Sequence, residues 1–327
     1  MLNVLLTVDT EIWPRHAGWP DQPLPKNQAD FSRELAHDID GHTSVGDFGL
    51  PFQLALLRRH GLKATYFIEA LCAGRTGLPV LKGIVRQVLE GRQDVQLHLH
   101  TEWLSELDDA QLPTRHRQYM AQFSREQQAA LIRKGLANLS AAGAPPVVAF
   151  RAGSFGANRD TLRALADNGI GIDSSYNRAY PCGDWGLSGA LAHPARFGQV
   201  WEFPIAAFCD YPGHFRPAQL NACSVGEMRH ALIAAASARW PVFVIVLHGF
   251  ELLSHRHGSG LPTPDRLNIS RFRQLCSFLD THRTDFRTAW FHEVDLDRLR
   301  APAASFIRSR PLDTATRVLQ QAMSRFT

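Results

Sequence analysis

Residues 2–11 read Leu2-Asn3-Val4-Leu5-Leu6-Thr7-Val8-Asp9-Thr10-Glu11, an apolar run that ends in two carboxylates. Such a run predicts a buried β-strand. Residues two apart on an extended chain point to the same side, so Asp9 and Glu11 can face one cavity at the strand's C-terminal end. Open and closed α/β sheets keep their chemistry at that end. The alternative is that the two acids merely begin a solvated loop.

The rest of the chain alternates between strand-like and helix-like patterns. Strands are predicted at 63–68, 94–100, 147–150, 170–173, 200–205, 242–247 and 285–292. Helices are predicted at 51–60, 78–90, 124–142, 159–168, 224–238, 268–282 and 314–326. This alternation predicts an α/β fold with a mainly parallel sheet. The polar stretches 12–48, 104–123 and 178–223 are predicted to be long loops, apart from the short strand at 200–205, and such loops usually serve a site.

Two histidines lie on the third predicted strand. His98 and His100 share one face by the two-residue period of a strand. Two imidazoles in this arrangement can bind one divalent metal, and a nearby carboxylate can supply the third ligand. The alternative is a pair of histidines satisfied by hydrogen bonds, and the acids of the first strand favour the metal site.

Three more polar groups follow predicted strands. Arg151 comes after strand 147–150 and precedes a loop with two glycines, whose backbone can approach a ligand closely. Asp173 ends strand 170–173, and His248 follows the most apolar strand of the chain. A surface salt bridge is the alternative for Arg151. Packing poorly explains a histidine directly after a fully buried strand, so a functional role is favoured for His248.

Composition narrows the class of protein. The 327 residues are 45% hydrophobic and 20% charged, which is typical of a globular chain. Lys and Arg outnumber Asp and Glu by 35 to 31, without basic runs, so no nucleic-acid partner is indicated. No segment approaches the roughly 20 apolar residues of a membrane span, and no signal peptide is visible. The five cysteines lack zinc-finger or redox spacing. A cytoplasmic protein is expected, and its oligomeric state stays open.

The order of these groups resembles that of the polysaccharide deacetylase family, also called the NodB homology or carbohydrate esterase 4 family. The resemblance covers residues 2–292 and rests on Thr7 to Glu11, His98 to Trp103, Arg151 to Gly156, Asp173 to Tyr176, and Leu247-His248. It implies a distorted (β/α)7-type barrel of the NodB deacetylase kind with long strand-end loops. The barrel is expected over residues 1–295, and 296–327 are expected to form a C-terminal extension whose terminal helix packs on it.

Three departures from the family pattern concern the site. The family's adjacent acidic pair is spaced here as Asp9-Thr10-Glu11, as in branches with an acid-x-acid motif. The family's histidines are usually four residues apart, whereas His98 and His100 are two apart and position 102 holds Glu102. We expect both histidines to be ligands, with Glu102 the less favoured substitute for His100. The glycine loop also lacks the usual proline.

The resemblance implies one divalent metal held by Glu11, His98 and His100, and zinc is the expected ion, although nickel, cobalt and iron also suit mixed nitrogen and oxygen ligands. It implies Asp9 as the base, kept ionised by Arg151. His248 is expected to protonate the leaving nitrogen, and Asp173 to orient or charge a site residue.

The implied reaction is removal of an N-acetyl or other acyl group from an amino sugar or polysaccharide, or hydrolysis of a small-molecule amide. Three alternatives remain open at the level of the sequence. The chain could be a cyclic-amide hydrolase of the allantoinase type. It could be a retaining glycosidase that uses Asp9 and a second acid, with the histidines binding sugar. It could also be a carbohydrate-binding barrel that has lost turnover.

Overall fold

Apolar strands that alternate with helices along the chain assemble into one curled, mainly parallel sheet. The computed structural model describes residues 1–25, 30–113, 115–180, 182–187, 190–254, 261–300 and 306–324. The strands of the central sheet are β1 (Leu2–Thr10), β2 (Ala64–Glu69), β3 (Asp94–Leu99), β4 (Ala149–Ala152), β5 (Ile172–Asp173), β6 (Ala195–Phe197), β7 (Val200–Glu202), β8 (Val242–His248) and β9 (Phe286–Thr288).

The strand order in this sheet is β8-β1-β2-β3-β4-β5-β7-β6, and β9 also pairs with β1. The described pairs are parallel except for the antiparallel pair of β6 and β7. Backbone hydrogen bonds from Ala206 to Val244 and from Val246 to Ala218 link the segment after β7 to β8. The sheet therefore curls into a distorted barrel, and the predicted fold class is confirmed.

Helices cover the outside of the sheet. They are α1 (Ser32–Asp38), α2 (Leu50–Arg59), α3 (Ala73–Thr76), α4 (Leu78–Glu90), α5 (Arg125–Ala141), α6 (Arg159–Asp167), α7 (Val225–Ser237), α8 (Arg266–Thr281) and α9 (Pro311–Ser324). Ser124, Asn158 and Ser224 accept hydrogen bonds from backbone N–H groups in the first turns of α5, α6 and α7. These side chains fix where the helices begin, because the first N–H groups of a helix have no partner inside it.

The two-residue period of β1 divides its side chains between two buried regions. Val4, Leu6 and Val8 belong to the large core between the strands and the helices. Leu5 belongs to a smaller apolar cluster inside the barrel, which it shares with Phe67 of β2. Thr7 and Asp9 follow Leu5 on the inner face by the same period. The apolar interior thus gives way to polar side chains toward the C-terminal ends of the strands.

The segment 207–223, predicted to be irregular, contains an antiparallel pair, Ala207–Tyr211 with His214–Pro217. The prediction was wrong because each strand has only four or five residues, and polar, ion-paired side chains interrupt the apolar pattern around the buried Phe208. Asp210 pairs with His214 and Arg216. The predicted loop 12–48 likewise contains α1, and the predicted strand 285–292 is confined to β9.

The C-terminal helix α9 contacts α7. Thr314 Oγ1 donates to Glu227 Oε1 at 3.1 Å, and Arg317 Nε donates to the same oxygen at 3.1 Å. The division into a barrel of residues 1–295 and an extension of 296–327 stays a prediction. Among the described residues, no helix combines the length and the apolar character needed to cross a membrane.

Candidate metal centre and active site

The register of the parallel strands brings the predicted site residues to one end of the barrel. Asp9 of β1 lies opposite His248 of β8. Farther along the sheet, His98 of β3 lies opposite Glu69 of β2 on one side and opposite Arg151 of β4 on the other. Because these strands are parallel, their C-terminal ends meet at one edge, and residues distant in sequence become neighbours there.

Glu11 lies between the two histidines of the His-x-His pair. Its Oε1 is 3.0 Å from His98 Nε2 and 3.1 Å from His100 Nε2. All three side chains are buried. These atoms form one of the groups of the described residues whose geometry suits a metal ion. The structure thus brings the three predicted ligands together.

The far nitrogen of each imidazole has its own acceptor. His98 Nδ1 lies 2.8 Å from the Arg151 carbonyl oxygen, to which it can only donate. His100 Nδ1 lies 3.3 Å from Glu102 Oε2. Donation from Nδ1 leaves the Nε2 lone pair of each ring available to a metal ion, and such outer contacts usually accompany histidine ligands. Glu102 therefore lies on the side of His100 that faces away from Glu11.

These residues fit a divalent ion. Donor atoms about 2.0–2.1 Å from one tetrahedral zinc ion are roughly 3.3 Å apart, close to the observed separations. Burial would raise the pKa of Glu11, but His100 and His98 hold it well below its usual range. Burial would lower the pKa of His100, but Glu11 and Glu102 raise it well above its usual range. The Glu11 carboxylate and the His100 imidazole thus favour a positive charge between them. A bound metal ion would supply that charge in place of a proton.

Asp9 is bound to a buried arginine. Arg151 Nη1 donates to Asp9 Oδ1 at 2.6 Å and to Thr7 Oγ1 at 2.8 Å. Arg151 Nε donates to the Ser174 carbonyl at 2.9 Å, and the guanidinium lies 4.4 Å from the centre of the Phe67 ring. Arg151 is not a surface residue in a solvated salt bridge, because its side chain is fully buried. It fixes one oxygen of Asp9 and leaves Oδ2 toward the cavity.

His248 lies across the cavity from the histidine pair. Its Nε2 is 3.9 Å from Asp9 Oδ2, and its Nδ1 is 2.8 Å from Glu251 Oε1. Burial would lower the pKa of His248, but the hydrogen bond to Glu251 and the charge of that carboxylate raise it to about 9. His248 is therefore an imidazolium at neutral pH, with Nε2–H available to the cavity.

Asp173 is fully buried at the end of β5, opposite Phe150 of β4. Its Oδ1 accepts a hydrogen bond from Ser175 Oγ at 2.6 Å, and its carboxyl neighbours that of Glu202. Burial and the neighbouring Asp173 raise the pKa of Glu202 well above its usual range. Asp173 does not contact His248, and the carboxylate that holds this imidazole is Glu251. A role for Asp173 in orienting a site residue stays a prediction.

Sequence reasoning missed three residues around the site: Glu251, Glu69 and Trp13. Glu69 ends β2 and accepts hydrogen bonds from the backbone N–H groups of His100 and Leu71. Burial raises the pKa of Glu69 to about 7. A signal for it was present, since Glu69 is a polar residue at a strand end. Glu251 and Trp13 follow strand ends by three residues, where the path of the loop decides what they contact.

The cavity above these groups has a volume of about 220 Å³. Polar and aromatic side chains both line it, and its walls include Asp9, Glu11, His100, His248, Trp13, Phe155 and Phe250. Ser154 and Phe155 have φ values of 51° and 57°, a strained conformation that often marks functional sites. Gly153 is required there, because an added Cβ would lie 2.7 Å from ring atoms of His100.

Comparison with known proteins identifies the fold. No family model matches the sequence, and no curated protein matches it. A solved structure from Mycobacterium smegmatis, provisionally classed as a polysaccharide deacetylase, superposes with a TM-score of 0.56 at 14% identity and covers 93% of each chain. The 4-alpha-glucanotransferase from Thermococcus litoralis superposes with a TM-score of 0.51 at 13% identity, over 94% of this chain and 42% of that one.

A family 4 carbohydrate esterase from Streptomyces lividans, in complex with acetate, gives a TM-score of 0.41 at 13% identity, over 92% of this chain and 98% of that one. The TM-score of 0.56 shows that the chain shares the fold of the Mycobacterium smegmatis protein. The resemblance that the sequence motifs indicated is confirmed at the level of the fold.

Proposed function

We propose that the protein is a metal-dependent hydrolase that removes an N-acetyl or other acyl group from an amino sugar or polysaccharide. The observation that carries this proposal is the position of Glu11 Oε1 between the Nε2 atoms of His98 and His100, in the cavity that Asp9 and His248 also line. The shared fold with a protein classed as a polysaccharide deacetylase supports it.

Glu11, His98 and His100 would hold the ion, and zinc is the expected one because its catalytic sites use three protein ligands of these types. A divalent ion there supplies Lewis acidity toward the acyl oxygen and lowers the pKa of water. Asp9 accepts the proton of the attacking water, since its Oδ2 faces the cavity while Arg151 holds Oδ1.

His248 supplies the proton that the departing nitrogen needs. A pKa of about 9 keeps the imidazole protonated at neutral pH, and Glu251 on Nδ1 directs Nε2–H toward the cavity. Asp9 and His248 approach within 3.9 Å through Oδ2 and Nε2, so a base and an acid flank one small volume. This arrangement suits amide hydrolysis, in which water must lose a proton and the amine must gain one. The rings of Trp13, Phe155 and Phe250 offer apolar surface for the faces of a sugar.

The test combines metal analysis with an acyl-release assay. We expect the purified protein to bind about one zinc ion per chain and to release acetate from N-acetylglucosamine oligomers. His98→Ala should lose both properties. His292→Ala is the matched control, because this half-exposed histidine lies near Asp94, at the opposite end of the barrel. Full metal content in His98→Ala would contradict the proposed ligand set.

The same assays separate the alternatives. A retaining glycosidase would release reducing sugar without a metal, because its reaction needs only a pair of carboxylates, whereas here Glu11 is bound to two histidines. A binding barrel would hold the oligomer and release no acetate. A cyclic-amide hydrolase would open a cyclic ureide and leave the oligomer intact.

A further inference from the structure

The second oxygen of Glu11 has a partner of its own. While Oε1 faces His98 and His100, Oε2 accepts a hydrogen bond from Trp13 Nε1 at 2.6 Å. An indole N–H can only donate, and a donor this close to a carboxylate makes a strong, charge-assisted bond. The two oxygens of one carboxylate are thus committed to different tasks.

We propose that Trp13 keeps Glu11 a one-oxygen ligand and thereby tunes the site to a low-coordinate ion such as zinc. The inference rests on the metal site of the proposed function. Carboxylates bind calcium through one or both oxygens, in shells of six to eight oxygen atoms. Catalytic zinc takes three protein ligands and keeps one further position for water or substrate. A Glu11 that bound through both oxygens would take up that position.

The Trp13 donor is held in place from two directions. Its backbone N–H donates to Asp38 Oδ2 at 2.8 Å, and its carbonyl accepts from Arg15 Nη1 at 3.2 Å. Arg15 and Asp38 are themselves paired at 2.6 Å, and the Asp38 side chain is buried. Helix α1, which carries Asp38, thus anchors the segment after β1.

Ring contacts fix the indole as well. The Trp13 ring meets the His100 ring edge to face, with centroids 4.6 Å apart, and meets Trp19 at 5.6 Å. Aromatic pairs at such distances favour one relative orientation. Trp13 therefore touches one ligand through its N–H and another through its ring. It is a positioning residue, because it acts through Glu11 and His100.

Trp13→Phe tests the inference, since it keeps an aromatic ring beside His100 and removes the N–H donor. Trp290→Phe is the matched control, because this indole also donates through Nε1, at 3.1 Å to the Ala64 carbonyl where β2 begins. The readouts are the zinc dissociation constant from chelator competition and the visible spectrum of the cobalt(II)-loaded protein. Four-coordinate cobalt(II) absorbs far more strongly than six-coordinate cobalt(II).

We expect zinc binding by Trp13→Phe to weaken about 10- to 100-fold, the usual cost of losing an outer partner of a ligand. We also expect its cobalt band to weaken, while Trp290→Phe matches the unchanged protein in both readouts. Circular dichroism of the metal-free forms checks folding, and Trp13→Leu serves if Trp13→Phe does not fold.

Equal zinc affinity and an unchanged cobalt spectrum in Trp13→Phe would overturn the inference. Failure of the proposed hydrolysis is a separate result. Wild-type protein that binds zinc but releases no acyl group would refute the proposed reaction and leave the metal site in place. The comparison of affinities would still decide the role of Trp13. An unchanged protein that binds neither metal would overturn both.

Discussion

Replacing Glu251 with glutamine removes the charge that holds the proposed acid in its protonated form. Glu251 Oε1 lies 2.8 Å from His248 Nδ1, and the Glu251 side chain is 2% exposed. Burial by itself lowers the pKa of His248, whereas the hydrogen bond and charge of Glu251 raise it to about 9. An acid works in its protonated form, so activity should persist below this pKa and fall as the pH rises through it. Glu251→Gln should move that fall to lower pH.

The size of the effect follows from the two protonation curves. With a pKa of about 9, roughly nine-tenths of His248 is protonated at pH 8. If the pKa of His248 returns to its ordinary value of about 6.5, roughly 3% is protonated at that pH. We therefore expect kcat at pH 8 to fall by roughly 30-fold, with little change at about pH 6.

The assay is the pH profile of acetate release from an N-acetylated oligomer, compared with that of an aryl acetate. The aryl ester has a good leaving group and needs no acid, so its hydrolysis should change little. Glu293→Gln is the control, since Glu293 pairs with Lys63 just before β2 begins. An unchanged alkaline limb in Glu251→Gln, or equal losses on both substrates, would refute the proposed role of Glu251 in holding His248.

Three further predictions address the neighbouring groups. Gly153→Ala should weaken zinc binding at least about tenfold, because the new Cβ would lie 2.7 Å from the His100 ring. Gly171→Ala is the control, because its Cβ would meet no atom within 4 Å, and equal zinc affinities of the two variants would contradict the prediction. Arg151→Lys should lower kcat/KM roughly 10- to 100-fold, since a hydrogen bond to an ionised group such as Asp9 contributes about 1.5–3 kcal/mol, and wild-type kinetics would count against the pairing. Zinc at about 100 times its Kd should raise the free energy of unfolding by about 2.7 kcal/mol in thermal denaturation, and no shift would speak against a folded metal site.

The periodicity of the sequence was enough to predict the general fold and much of the site. Alternating strands and helices predicted the α/β class, and the two-residue period placed His98 and His100 on one face. The same period placed Asp9 and Glu11 on one side, and both line the cavity. These features are local, because the geometry of a single strand decides which side chains share a face.

Contacts between side chains from different strands and loops could not be predicted from this period. The carboxylate that holds His248 is Glu251, which the sequence did not single out, and the role expected of Asp173 in orienting a site residue stays a prediction. Likewise, the spacing of residues along the sequence does not indicate the hydrogen bond from Trp13 to Glu11 or the one from the His100 backbone to Glu69.

The local sequence pattern is enough to place Asp9 and Glu11 at the end of the first strand and the two histidines on one face, since both depend on neighbours along one chain segment. Which carboxylate meets which imidazole is visible only in the folded chain. That choice depends on the register between parallel strands and on the path of the loops after them, and both are set by packing between residues far apart in the sequence.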